Sequence, residues 1–141
     1  MINGVIAQKL QHLDMVLTEL RSLGYLSTLD LDNDWRTKRA VERSLQILVE
    51  IVIDVCQRIL SLLGQTPATA GKSALERIVA LGILRQHDAY TKMVQFRNFI
   101  VHRYEQVDNA ILVDMVNRRL EDFEAFRNEI LAYIKRTIHE D

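Results

Sequence analysis

Apolar residues recur along most of this chain at three- and four-residue steps, the spacing that gathers them on one face of an α-helix. Ile6, Leu10, Leu13, Val16, Leu17 and Leu20 predict a first helix over about 3–23, with Gly24 as its stop. Val41, Leu45, Leu48, Val52, Val55, Ile59 and Leu62 alternate steps of four and three. They predict the longest helix, over about 34–63, capped by Asp34 and ended by Gly64. Arg43, Gln46, Glu50, Asp54 and Gln57 run beside it as a polar stripe in the same rhythm. Ile47, Val49, Ile51, Ile53, Leu60 and Leu63 widen its apolar surface beyond one stripe. That width predicts two contacts for this helix, its own core and a second subunit.

Residues 64–72 are the one linker-like stretch and hold the sole proline, Pro67. Ser73 and Glu76 then form an S-x-x-E capping-box signal ahead of Ile78, Val79 and Leu81, predicting a short third helix that closes near Gly82. A fourth begins near Asp88 and carries Tyr90, Met93, Val94, Phe96 and Ile100. A fifth, capped by Asp108, is lined by Leu112, Val116, Leu120, Phe123, Ile130 and Ile134. Short connections favour antiparallel neighbours. The predicted fold is all-α, an up-and-down bundle of about five helices in a single domain over 1–141.

Composition narrows the classes of function. One proline and five glycines in 141 residues suit long helices rather than many short strands. The formal net charge of -1 supplies no global field to attract nucleic acid, so any RNA contact must come from a local patch. Cys56 is the only cysteine, which excludes an internal disulfide and a cysteine metal cluster, and its apolar surroundings predict a buried structural thiol. The most apolar stretch, 47–55, is interrupted by Glu50 and Asp54 and is too short to span a bilayer. With no secretion signal visible, no membrane partner and a cytoplasmic location are expected.

The residues with most chemistry lie together in RNFIVHRY, Arg97 to Tyr104. In a continuous helix Asn98 and His102 share a face, whereas Arg97 and His102 diverge by about 140°. They converge if the helix ends near His102 or if two copies of the segment meet across a dimer. Histidine takes and gives protons near neutral pH, and arginine offers a planar fork of donors matched to phosphate oxygens. An arginine, a histidine and a polar amide suffice for metal-free RNA cleavage, because the ribose 2′-OH is itself the nucleophile. His102 would move the protons and Arg97 would stabilise charge on the phosphorane.

This segment resembles the R-x-x-x-x-H-x-Y motif of the HepT-like toxins, part of the wider HEPN group of small helical proteins. Arg97, His102 and Tyr104 match its fixed positions, and Asn98 is a usual polar residue after the arginine. The stretch RAVERSLQILVEIVIDV, Arg39 to Val55, is similar to the long central helix of that family. The resemblance implies a dimeric, metal-independent endoribonuclease with its paired motifs lining a cleft between protomers. Arg97 and His102 would be catalytic and Asn98 supporting. The resemblance also implies a toxin–antitoxin module whose partner is a minimal nucleotidyltransferase of the MntA type. That partner would transfer AMP from ATP to Tyr104, and the chain itself would need no cofactor.

Each residue also has a plainer role available: Arg97 in a surface ion pair, His102 beside helix-end carbonyls, Tyr104 in packing. The joint spacing and the long-helix resemblance favour a site. Elsewhere the signals are weaker. His12, His87 and His139 are scattered and make no metal-ligand set. Glu50 and Asp54 read as a solvated stripe or a polar strip facing the cleft. Arg118 and Arg119, with Arg103, fit either a local basic rim or a solvated helix face. Two other functions remain open on the sequence: a non-catalytic helical partner of a nucleotidyltransferase, and a structural helical dimer.

Overall fold

The computed structural model describes residues 4–85, 87–102 and 108–140, without the side chains of 87, 98, 100–102 and 138–140. Among the described residues there are seven helices and no strand: α1 (Gly4–Arg21), α2 (Thr28–Asn33), α3 (Trp35–Leu62), α4 (Gly71–Ala80), α5 (His87–His102), α6 (Asn109–Arg118) and α7 (Leu120–Glu140). The all-α fold is as expected, but two of the helices were not foreseen.

α3 is the axis of the molecule and packs against each of the other six helices. Its N-terminus is fixed by Asp34, whose carboxylate accepts the Arg36 and Thr37 amides at 3.0 and 3.3 Å. At the other end Gly64 adopts φ 72°, and the Gln65 amide reaches back to the Leu60 carbonyl at 2.9 Å. A Cβ at Gly64 would strain that left-handed turn. Val41, Leu45, Leu48, Val49, Val52, Val55, Cys56 and Leu60 are all 0% exposed. Much of the wide apolar surface is used inside this chain, where Val49, Ile51 and Leu60 are buried, while Ile47 and Ile53 are half-buried and Leu62 and Leu63 stay exposed.

The short α2 comes from a local signal at 26–31. Ser27 Oγ accepts the Asp30 amide at 3.2 Å while Asp30 accepts the Ser27 amide at 2.8 Å, a reciprocal capping box. Leu26 and Leu31, both buried, flank it as a hydrophobic staple. The Asn117 side chain then bonds both the amide and the carbonyl of Leu26, at 3.1 and 2.8 Å, tying this corner to α6. The predicted fifth helix is two helices, because the chain bends at Arg119. No Pro or Gly marks the bend. It lets α6 lie on α2 and α3 while α7 lies on α1 and α3.

One capping expectation is corrected. α4 begins at Gly71, not at Ser73, and its N-cap Ala70 makes no side-chain bond. The packing decides this start: a Cβ on Gly71 would stand 2.6 Å from Ile53 Cδ1, so the first turn of α4 sits directly on α3. No helix among the described residues is long and apolar enough to cross a membrane.

Candidate active site

α5 is the helix that presents the motif, and its two halves are built differently. In the first half, Tyr90, Met93, Val94 and Phe96 are buried. The Tyr90 ring meets Phe126 of α7 edge-on, with centroids 5.7 Å apart at 79°. Its hydroxyl donates to Glu129, and the other oxygen of that carboxylate accepts the Arg85 amide at 2.7 Å. Burial, followed by the Glu129 carboxylate, pushes the Tyr90 phenol well above its usual range. Burial likewise pushes up the Cys56 thiol. One carboxylate on α7 thus ties the entry and the first turn of α5 in place.

The second half carries the motif, and α5 is described as far as His102. Arg97 is half-buried and lies seven residues after Tyr90, on the same inward stripe. The side chains of Asn98 and His102, and the whole of Tyr104 and Arg103, lie outside the described residues. The backbone nevertheless fixes the faces on which Asn98 and His102 stand. Thr91 and Val94 meet Leu75, Glu76 and Val79 of α4. By the helical period Asn98 stands beside that row, whereas His102 stands about 20° from exposed Gln95 and about 140° from Arg97, on the outward side of α5.

Asn109, at the start of α6, bonds Asp32, near the end of α2. On α3, Glu42 and Gln46 share the side that Ile53 turns towards α4.

Two charged residues near the start of α3 are enclosed, which the sequence did not show. Lys38 is 8% exposed, and the Glu42 side chain is 15% exposed. Glu42 Oε2 accepts Arg39 Nη1 at 3.4 Å. Its Oε1 is enclosed with no hydrogen-bond partner among the described residues. Few buried polar atoms are left so. The signal that could have found Glu42 is its seven-residue spacing from Val49 and Cys56, which places a carboxylate on a stripe that is otherwise apolar.

The other sequence candidates are accounted for by local contacts. Asp54 pairs with Lys9 at 3.2 Å, and Glu50 accepts Gln46 Nε2 at 3.1 Å. Arg118 and Arg119 share Asp114, at 4.0 and 3.4 Å, with the Arg118 side chain 77% exposed. On another side of α5 an apolar cleft of about 420 Å³ opens towards α6, floored by Phe96, Phe99, Ile111 and Met115 with Lys92 and Arg119 at its rim. Among the described residues no group of three or more His, Cys, Asp or Glu side chains is placed to hold a metal ion.

Comparison with known proteins places this geometry in a family. The family model described as ribonuclease HepT-like matches residues 14–130. No curated protein matches the chain in sequence. Among solved structures, the chain is similar to a tri-AMPylated Shewanella oneidensis HEPN toxin in complex with MNT antitoxin. That likeness has 25% identity and a TM-score of 0.82, over 93% of this chain and 99% of the other. A mutant of the toxin–antitoxin MntA-HpeT is 26% identical with a TM-score of 0.79, over 92% of this chain and 99% of that one. A cytosolic protein of unknown function from Bacillus subtilis, YutE, shares the fold alone: 15% identity and a TM-score of 0.77, over 95% and 91% of the two chains.

Proposed function

The chain belongs to the ribonuclease HepT-like family, and from that premise we propose that it is the endoribonuclease toxin of a toxin–antitoxin module, cleaving RNA through Arg97 and His102. The observation that carries the proposal is the build of α5. The helix runs unbroken to His102, holds Arg97 on its inward stripe and is pinned at its far end by Glu129. A rigid support of this kind suits a site whose groups must meet a reacting phosphate accurately.

In the proposed reaction the ribose 2′-oxygen attacks the adjacent phosphorus. The 2′-O–P bond forms, the P–O5′ bond breaks, and the products are a 2′,3′-cyclic phosphate and a 5′-hydroxyl end. His102 carries a proton between the 2′-oxygen and the leaving 5′-oxygen. Arg97 pairs with the non-bridging oxygens as charge grows on them, and Asn98 helps to hold the phosphate. No step needs a metal ion, so cleavage is expected to persist in EDTA.

The partner in this reading is an MntA-type nucleotidyltransferase antitoxin, as in the similar complexes, and Tyr104 is the residue it modifies with AMP. The modification adds a bulky nucleotide and a negative phosphodiester close in sequence to Arg97, where it would compete with the RNA phosphate. The chain acts as a homodimer, for which the apolar cleft beside α5 offers a surface. Light scattering at micromolar concentration is expected to give the mass of a dimer; a monomer contradicts it.

The functional test takes the purified chain with RNA in EDTA, then with the transferase and ATP. Arg97→Ala and His102→Ala should each lower cleavage by roughly 100-fold or more with helicity intact. AMP should map to Tyr104 by peptide mass. Tyr104→Phe should still cleave and should escape neutralisation. A wild-type chain that binds the transferase but cleaves no RNA would favour the non-catalytic partner role instead.

A further inference from the structure

We propose that the exposed first turns of α3 are a track for single-stranded RNA, on which a base stacks against Trp35 and the phosphates pair with Arg36, Arg39 and Arg43. The inference rests on the reading of the chain as an RNA-cleaving protein. It adds the form of the substrate, a strand with unstacked bases, and a surface that holds that strand away from the reacting phosphate.

The helical period lays out this surface. Measured from Arg36, Arg39 stands about 60° and Arg43 about 20° to one side, and Ala40 about 40° to the other. All four are exposed. The buried Lys38, Val41 and Leu45 lie about 140–180° away, so the stripe faces out of the bundle. Trp35 flanks it, about 40° beyond Arg39. One turn past Arg43 the same face closes, because Ile47 is half-buried. The open stretch from Trp35 to Arg43 is about 12 Å long, the length of roughly three or four nucleotides in a stacked strand.

Two observations favour RNA as the occupant. The first is the tryptophan. Trp35 is the sole tryptophan of the chain and is 68% exposed. Arg36 lies over its ring, 5.5 Å from the centroid. A large aromatic left in water adds little to the core and offers a flat face on which any base can stack. The second is the state of the charges. Neither Arg36 nor Arg43 forms a salt bridge among the described residues. Arg39, its side chain 67% exposed, engages Glu42 through Nη1 at 3.4 Å. The acids of this corner are bonded elsewhere. Asp34 accepts the Arg36 and Thr37 amides and the Thr37 hydroxyl, Asp30 closes the capping box of α2, and Asp32 accepts from Asn109. Open arginine forks beside an exposed ring match a phosphate backbone with unstacked bases. A duplex keeps its base faces stacked inside, so the fit is to a single strand. The net charge of -1 supplies no general attraction, and a local stripe of this kind is what an RNA contact then requires. The bond between Asp32 and Asn109 sets the start of the stripe beside the segment that follows the motif.

Because Trp35 is the sole tryptophan, its fluorescence reports on this surface alone. The test titrates the full chain with a single-stranded 2′-O-methyl RNA of about ten nucleotides, within the range of site sizes of single-strand binders. That strand has no free 2′-hydroxyl and is not cleaved by the proposed route. Affinity is measured in parallel by anisotropy of the end-labelled strand. The fluorescence should be quenched to saturation along the same binding curve, and the corresponding duplex should quench far less. Trp35→Ala should weaken binding roughly 10-fold, and Trp35→Phe should keep part of the affinity. Arg43→Gln should lower the slope of log affinity against log salt by about 0.7. Both positions are exposed, so helicity should be intact in each variant. Binding without quenching overturns the inference, as do a Trp35→Ala chain of unchanged affinity and a strand that does not bind at all. Quenching by the transferase but not by RNA overturns it in favour of a protein interface. Quenching by RNA in a chain that cleaves none keeps the track and removes the ribonuclease reading.

Discussion

The two ends of α5 are made of similar residue types put to opposite uses. At the Tyr90 end the phenol and the Arg85 amide share Glu129, and the rings of Tyr90 and Phe126 pack at close to a right angle. The Arg97 end carries a half-buried cation, and near the start of α3 one enclosed oxygen of Glu42 accepts no bond among the described residues. Buried polar groups that pair with one another hold a structure in place. Groups left short of a partner cost stability and keep bonding capacity for something else. The contrast separates an anchored half of α5 that serves the fold from the half that the proposed reaction would use.

The comparison can be broken first at the anchored end. Phe126 is fully buried, and Phe126→Ala should cost about 3–5 kcal/mol by leaving a cavity beside Tyr90. Urea unfolding measures it, and a loss under about 1 kcal/mol would mean that this end anchors little. A smaller effect is expected from Tyr90→Phe, which keeps the ring and removes one hydrogen bond, about 1 kcal/mol at neutral pH. Its pH signature is more telling. The folded phenol ionises above the ordinary tyrosine value of 10.0, so its stabilisation is complete below pH 10 and is lost as the pH rises beyond it. Tyr90→Phe should remove that alkaline slope, and an unchanged slope would place its source elsewhere. The smallest change in stability should come from the working end. Arg97→Met, at a half-buried position, should cost no more than about 1 kcal/mol while cleavage is lost. A large destabilisation would make Arg97 an anchor and erase the contrast.

Much of this was legible in the sequence, and the residues show why. Asp34, Gly64 and Asp108 mark helix ends because caps and left-handed turns are local chemistry that a short window contains. The RNFIVHRY segment was legible for the same reason, since spacing along one helix is a local property. α2 was missed although its capping box is local, because it uses Asp30 where Glu or Gln is the commoner partner. The bend at Arg119 and the start of α4 at Gly71 could not be read. Neither has a local signal, and both follow from how helices lie on α3 and α1. The breadth of apolar surface on α3 did not reveal how much of it six helices of the same chain take up, leaving Leu62 and Leu63 exposed. Glu42 was legible as part of the polar stripe of α3, but its enclosure was not, because burial depends on the helices that pack over that turn.

The central claim is that Arg97 and His102 cleave RNA through the substrate's own 2′-hydroxyl. The most direct test maps a cleavage site in an RNA oligonucleotide held in EDTA, then repeats the reaction with a single 2′-deoxy sugar on the 5′ side of the scissile phosphate. Product ends are read by mass spectrometry, with His102→Ala in parallel. The account predicts a 2′,3′-cyclic phosphate and a 5′-hydroxyl from the all-ribose strand, and no cleavage at that phosphate from either the deoxy strand or the variant. Cleavage of the deoxy strand at the same position by the wild-type chain, or ends that carry a 5′-phosphate, would contradict it.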